Sequence, residues 1–164
     1  MPTLPQPDAL AENCAVLLQM AHALAIPAAV TEQYPRGLGP TVDVVLEHVT
    51  SATPRIEKTR FSALTTDVEA WLERMGRTSV LVCGIEAHIC VLQTVLDLQA
   101  AGRQTFVVTD AVSAGQPAQI TPAYVRMRDG GAVLTGILSC MYELMQDKQH
   151  PAFGQCLKLA KAVR

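Results

Sequence analysis

Cys90 stands where a nucleophile would be placed. The apolar run SVLVCGI over 79–85 reads as a strand, and the tight connection GIEAHIC leads from it into a helix, with Cys90 in the first turn. A thiol there faces the positive end of the helix dipole, which stabilises a thiolate. Free backbone N–H groups in the same turn could receive an oxyanion, the second requirement of acyl-transfer chemistry. The bland reading of the same position is a small buried hydrophobe. Lys58, in EKTRFSAL, ends a weaker strand. A lysine near a thiol lowers the thiol pKa and can shuttle a proton if burial depresses its own; the alternative is an ordinary solvated lysine. Arg60 shares a side with Lys58 if that strand continues.

The remaining reactive side chains carry weaker signals. His88 could be a general base, but residues two apart on a helix diverge, so a loop or capping role suits it better. His22, His48 and His150 have no partner in sequence. Cys83 lies inside the apolar strand and reads as inert packing, as do Cys14, Cys140 and Cys156 in helices. A zinc site from Cys83, His88 and Cys90 fails on geometry and spacing.

The elements that position these residues alternate between helical stretches and short apolar runs, the grammar of an α/β fold. Helices are expected from Asp8, as N-cap, to about Leu24, over 42–48, from a Thr66 cap to Gly76, and from near Glu86 to Gly102. Later ones cover 117–128, broken or restarted at Pro122, 137–147 and 151–164. Strands are expected over 29–32, 55–59, 79–85, 104–110 and 131–135, with 79–85 central because it is apolar on both faces. Function then collects beyond the carboxyl ends of the strands, in 31–41, 58–62, 86–90 and 110–115.

Composition removes whole classes of function. The 164 residues fit one domain spanning 1–164. Apolar residues make up 49% and charged ones 17%, against a typical ~25% charged, which argues against disorder. A net charge of −2 supplies no field for nucleic acid or an anionic membrane. A thinly charged surface instead suggests contacts between copies, a dimer or higher homo-oligomer. Five scattered cysteines, with no pairing pattern, fit a reducing compartment. The opening MPTLPQPD shows no secretory signal. An intracellular, cytoplasmic location is expected, with mitochondrial import compatible.

Four segments carry a resemblance that runs from about Ala25 onward: VTEQYPRGLGPT (30–41), EKTRFSAL (57–64), VLVCGIEAHICVLQTVLDLQAAG (80–102) and VVTDAVSA (107–114). They resemble the isochorismatase-like cysteine hydrolase family, in its eukaryotic isochorismatase domain-containing subgroup. The resemblance implies a three-layer α/β/α, Rossmann-like fold with a mostly parallel sheet, usually oligomeric, and an Asp–Lys–Cys triad. It places the nucleophile at Cys90, the lysine at Lys58, and a non-proline cis peptide at Ile85–Glu86. Backbone N–H groups from Ala87 through His88 and Ile89 to Cys90 would form the oxyanion hole, with Glu32, Tyr34 and Arg60 as pocket candidates. It implies no cofactor. The metal-binding Asp-x-His of nicotinamidase relatives is replaced by Gln33-Tyr34-Pro35, so no metal is expected.

The first family strand, which ends in the triad aspartate, has no counterpart in these residues. Pro2, Pro5 and Pro7 could not form a central strand. In the family order 3-2-1-4-5-6, its place lies between the strand bearing Glu32 and the one leading to Cys90. Either further residues supply it, or the sheet closes up, or another copy fills it; Glu32 is the nearest substitute carboxylate. The implied function is hydrolysis of a small amide, ester or related carbonyl substrate through a Cys90 thioester. The alternative is a catalytically silent oligomeric domain acting through protein partners. A thiol redox protein would need a resolving cysteine that no residue near Cys90 in sequence provides.

Overall fold

A computed structural model describes residues 6–164; residues 1–5, on which part of the signal and missing-strand readings rest, lie outside the described residues. The chain alternates as expected. Helix α1 (Pro7–Ala23) precedes β1 (Val30–Gln33), and two short helices, α2 (Pro35–Leu38) and α3 (Asp43–Leu46), lead to β2 (Arg55–Lys58). Then come α4 (Thr66–Met75), β3 (Ser79–Gly84), a π-helical turn (Ala87–Val91), α5 (Leu92–Ala100) and β4 (Gln104–Val112). Helix α6 (Ile120–Asp129), β5 (Val133–Thr135), α7 (Ile137–Met145) and α8 (Phe153–Ala160) complete the order.

All strand pairs are parallel, but they form two sheets, β1-β2 and β3-β4-β5. Among the described residues no ladder joins the two, so the sheet is divided where the vacant strand position was expected and has not closed up. One expectation changes accordingly. The strand read as central, β3, is an edge of its sheet, and Ser79 and Cys83 are exposed on it.

Helices on both faces span the division and make the three-layer α/β/α fold. On one face, Val68 and Leu72 of α4 pack with Val91, Val95 and Leu98, Met127 of α6, Val82 and Val107, with Ile56 of β2 against the same cluster. On the other, Val16, Leu17 and Met20 of α1 pack with Val108, Ala111, Ile137 and Met141, while Ala15 and Leu18 of α1 meet Val45 of α3. Burial on this scale, at about 25 cal/mol per Å² of apolar surface, is what joins the sheets in the absence of a ladder.

Several element ends differ from the sequence reading, each for a local reason. Gln6, not Asp8, precedes α1, because Pro7 takes the first helical position and Asp8 falls in the first turn, where a carboxylate suits the dipole. Thr65 rather than Thr66 caps α4, its hydroxyl accepting from Val68 N–H at 3.4 Å. Pro122 lies in the first turn of α6, where no intrahelical N–H bond is lost, so it does not break the helix. Gly84 ends β3 at φ +113°, a conformation that a Cβ disfavours although the space beside it is open.

Candidate active site

Cys90 and Lys58 meet although they come from different sheets. Lys58 is the last residue of β2, paired with Gln33 of β1, and only 7% exposed. Its ammonium donates to Gln33 Oε1 at 2.6 Å, to the Phe61 carbonyl at 2.8 Å and to the Arg60 carbonyl at 3.0 Å. Those bonds use all three donors of the charged form. Burial pushes the Lys58 pKa below the ordinary lysine value, and the neighbouring Cys90 sulfur opposes that shift by favouring the cation. A lysine so poised can hold a positive charge beside a thiolate or give up a proton.

Cys90 lies in the π-helical turn Ala87–Val91 that links β3 to α5. The Ile85–Glu86 peptide ahead of it is cis. Glu86 ties this connection to the end of β4, its carboxylate accepting from Gly115 N–H at 2.7 Å. The Ala87 N–H is bonded to the Ser113 carbonyl at 2.9 Å, and the Ile89 N–H to the Glu86 carbonyl at 3.1 Å. Two of the N–H groups expected to receive an oxyanion are thus engaged, which narrows the candidates to His88 and Cys90. The His88 ring contributes a buried Nδ1 with no partner among the described residues.

The other pocket candidates are placed less directly. Glu32 and Gln33 are successive residues of β1, so their side chains leave on opposite faces; Gln33 reaches Lys58 and Glu32 does not. Glu32 is 6% exposed, accepts from Thr41 N–H at 2.8 Å and from Arg55 at 3.1 Å. Burial alone would raise its pKa, but the Thr41 and Arg55 interactions outweigh it and hold the carboxyl below the ordinary range. The condition for Arg60 to share the Lys58 side, that the strand continues, is not met. The strand stops at Lys58, the chain bends so that the Arg60 and Phe61 carbonyls turn to the ammonium, and the Arg60 guanidinium lies exposed, 3.4 Å from Asp97. Tyr34 is half-exposed at φ +41°, its N–H bonded to the Lys58 carbonyl at 2.8 Å. Its ring lies over Gly37, where a Cβ would collide with the Tyr34 ring.

Two residues that hold the site carry no sequence signal of catalysis. Gln33 is one, its amide bridging Lys58 and the Thr59 carbonyl. Thr94 is the other, bonded both to the Cys90 carbonyl and to the Ala63 N–H. Among the described residues no three His, Cys, Asp or Glu side chains converge as a metal site. A surface depression lined by Ile56, Glu57, Trp71 and Arg74 includes neither Cys90 nor Lys58.

Residues 2–137 match the model of the isochorismatase domain. The chain belongs to the isochorismatase family. Isochorismatase domain-containing protein 2 of Danio rerio is 39% identical over 160 residues, which cover 96% of this chain and 79% of that protein. A structure named MAR1 ribonuclease, from Caenorhabditis elegans, superposes with a TM-score of 0.91 at 36% identity, covering 95% of this chain and 80% of the other. The YcaC product of Escherichia coli, described as an octameric hydrolase of unknown specificity, shares the fold with a TM-score of 0.85 at 23% identity, over 94% of this chain and 78% of its own. This isochorismatase-family chain has no helix, among the described residues, long and apolar enough to cross a membrane.

Proposed function

We propose that this chain is a hydrolase in which Cys90 attacks a small amide, ester or related carbonyl. The observation that carries the reading is the buried Lys58 set beside Cys90 from the opposite sheet. Lys58 stabilises the attacking thiolate and relays the proton to the leaving group; the His88 and Cys90 N–H groups receive the oxyanion. Collapse expels the amine or alcohol and leaves a Cys90 thioester, which water then cleaves. No cofactor enters this scheme, and a free carbonyl compound is the partner it requires. The ribonuclease name of the nematode neighbour is not carried over, because a net charge of −2 offers no phosphate-binding field.

A chloroacetamide probe tests the nucleophile. Near neutral pH it should label Cys90 many times faster than the buried Cys140, and Lys58→Met should slow the reaction. Equal rates at Cys90 and Cys140 would overturn the reading.

A second reading has its own support: no carboxylate accepts from Lys58 among the described residues, only the neutral Gln33 amide and two carbonyls. A catalytically silent oligomeric domain acting through protein partners needs no such acceptor. Turnover of small amides and esters that disappears in Cys90→Ala excludes it. Self-association is proposed in either case, since Leu138, Tyr142 and Leu144 of α7 and Leu157 of α8 are exposed and the E. coli neighbour is octameric. Sedimentation of the full chain reads it directly. The five free thiols fit an intracellular, reducing location.

A further inference from the structure

Cys83 is not the inert packing residue that its apolar strand suggested. Side chains alternate along β3: Val80 and Val82 pack under α4 and α5, whereas Leu81 packs under α1. Cys83 follows the parity of Leu81 and so points at α1. The register with β4 shifts here, from Val82 opposite Val107 to Gly84 opposite Val112, so residues 108–111 stand opposite Cys83 alone.

Cys14 of α1 reaches the same place independently. Its thiol donates to the Ala111 carbonyl at 3.7 Å, and Ala111 is one of the residues that stand opposite Cys83. Cys14 is half-buried and Cys83 exposed. Among the described residues no strand pairs with the outer edge of β3, where Cys83 lies. It is an exposed thiol on a strand edge, its side chain directed at the helix that carries a second, half-buried thiol.

We infer that Cys14 and Cys83 form an oxidant-responsive dithiol, which a hydroperoxide converts into a disulfide joining α1 to β3. The Cys83 thiolate attacks the hydroperoxide; an S–O bond forms, the O–O bond breaks, and hydroxide or alkoxide leaves. Cys14 then attacks the Cys83 sulfenic acid; an S–S bond forms, the S–O bond breaks, and water leaves. With hydrogen peroxide, the two thiols lose two electrons and two protons, and the oxidant becomes two waters. The roles follow from the contacts. Cys14 holds its proton against the Ala111 carbonyl and Cys83, and its pKa lies far above the ordinary thiol value, whereas contact with Cys14 lowers that of Cys83. Closure brings the sulfurs to about 2.05 Å.

The test uses the full chain, wild type and Cys90→Ser, treated with hydrogen peroxide, blocked with N-ethylmaleimide and digested with trypsin. A cross-linked peptide should join residues 1–36 to 78–103, lighter than its two parts by two hydrogens and released by dithiothreitol. It should persist in Cys90→Ser and vanish in Cys83→Ser. In Cys14→Ala, dimedone should trap the Cys83 sulfenic acid. Separate maleimide-labelled peptides from oxidised wild type, or a link that Cys90→Ser abolishes, would overturn the inference.

Discussion

The Thr94 hydroxyl donates to the Cys90 carbonyl oxygen at 2.6 Å and accepts the Ala63 N–H at 2.7 Å. One side chain thereby fastens the turn that carries the thiol to the loop that follows Lys58. Thr94→Val keeps the shape and removes both bonds. At about 0.5–1.5 kcal/mol for each bond, unfolding by urea should show a loss of about 1–3 kcal/mol, with a several-fold drop in Cys90 alkylation rate. Thr94→Ser should restore most of both.

Lys58 predicts a pH dependence of stability with a definite sign. Its folded pKa lies below the ordinary value of 10.5. Between the two values the unfolded chain binds more protons than the folded one, so raising the pH through that window stabilises the fold. Lys58→Met should remove this alkaline gain, which urea midpoints measured across the window will show. An identical pH profile in the variant would count against the buried ammonium.

Glu32 titrates in the opposite sense. Its carboxyl is held below 4.5 by Thr41 and Arg55 against the effect of burial, so its contribution is full above the unfolded pKa and is lost as the pH falls through the folded one. Glu32→Gln should cost about 1–2 kcal/mol at neutral pH. The deficit should close in acid unfolding curves below pH 4.5. Cys90 alkylation should change little, because Glu32 faces away from Lys58.

Asp110 supplies a structural control. Its carboxylate accepts the Ile137 N–H at 3.0 and 3.1 Å and so closes the N-terminus of α7 from the end of β4. Asp110→Ala should lower stability by about 1–2 kcal/mol and leave the Cys90 labelling rate intact. Thermal melts and labelling kinetics on the same sample separate the two effects.

The sequence made the site's frame legible because its punctuation is strong. The apolar run over 79–85 marks β3, Gly76 ends α4, whose threonine cap lies one residue earlier than read, and Lys58 at the end of one strand and Cys90 in the turn beyond another fall where parallel sheets place chemistry. Gln33 was missed since an amide in a strand has no titration to betray it, and Thr94 since a mid-helix threonine usually bonds its own backbone. Arg60 could not be placed by alternation, because β2 stops at Lys58 and the Arg60 and Phe61 carbonyls accept from the Lys58 ammonium. Cys83 was misread for a different reason: an apolar run records what a strand's faces touch and is silent about whether both of its edges are paired.

The division of the described strands into two sheets has a kinetic meaning. Among the described residues, amide protons of β3 and β4 are held by one hydrogen-bonded unit and those of β1 and β2 by another, coupled through helix packing and side-chain bonds. Two such units can open separately, and hydrogen exchange in β1 and β2 should then be faster than in β4. Cys90 belongs to one unit and Lys58 to the other. An opening of the β1-β2 unit would draw the lysine away from the thiol, so in the proposed reaction the time the pair spends assembled would depend on how often that unit opens.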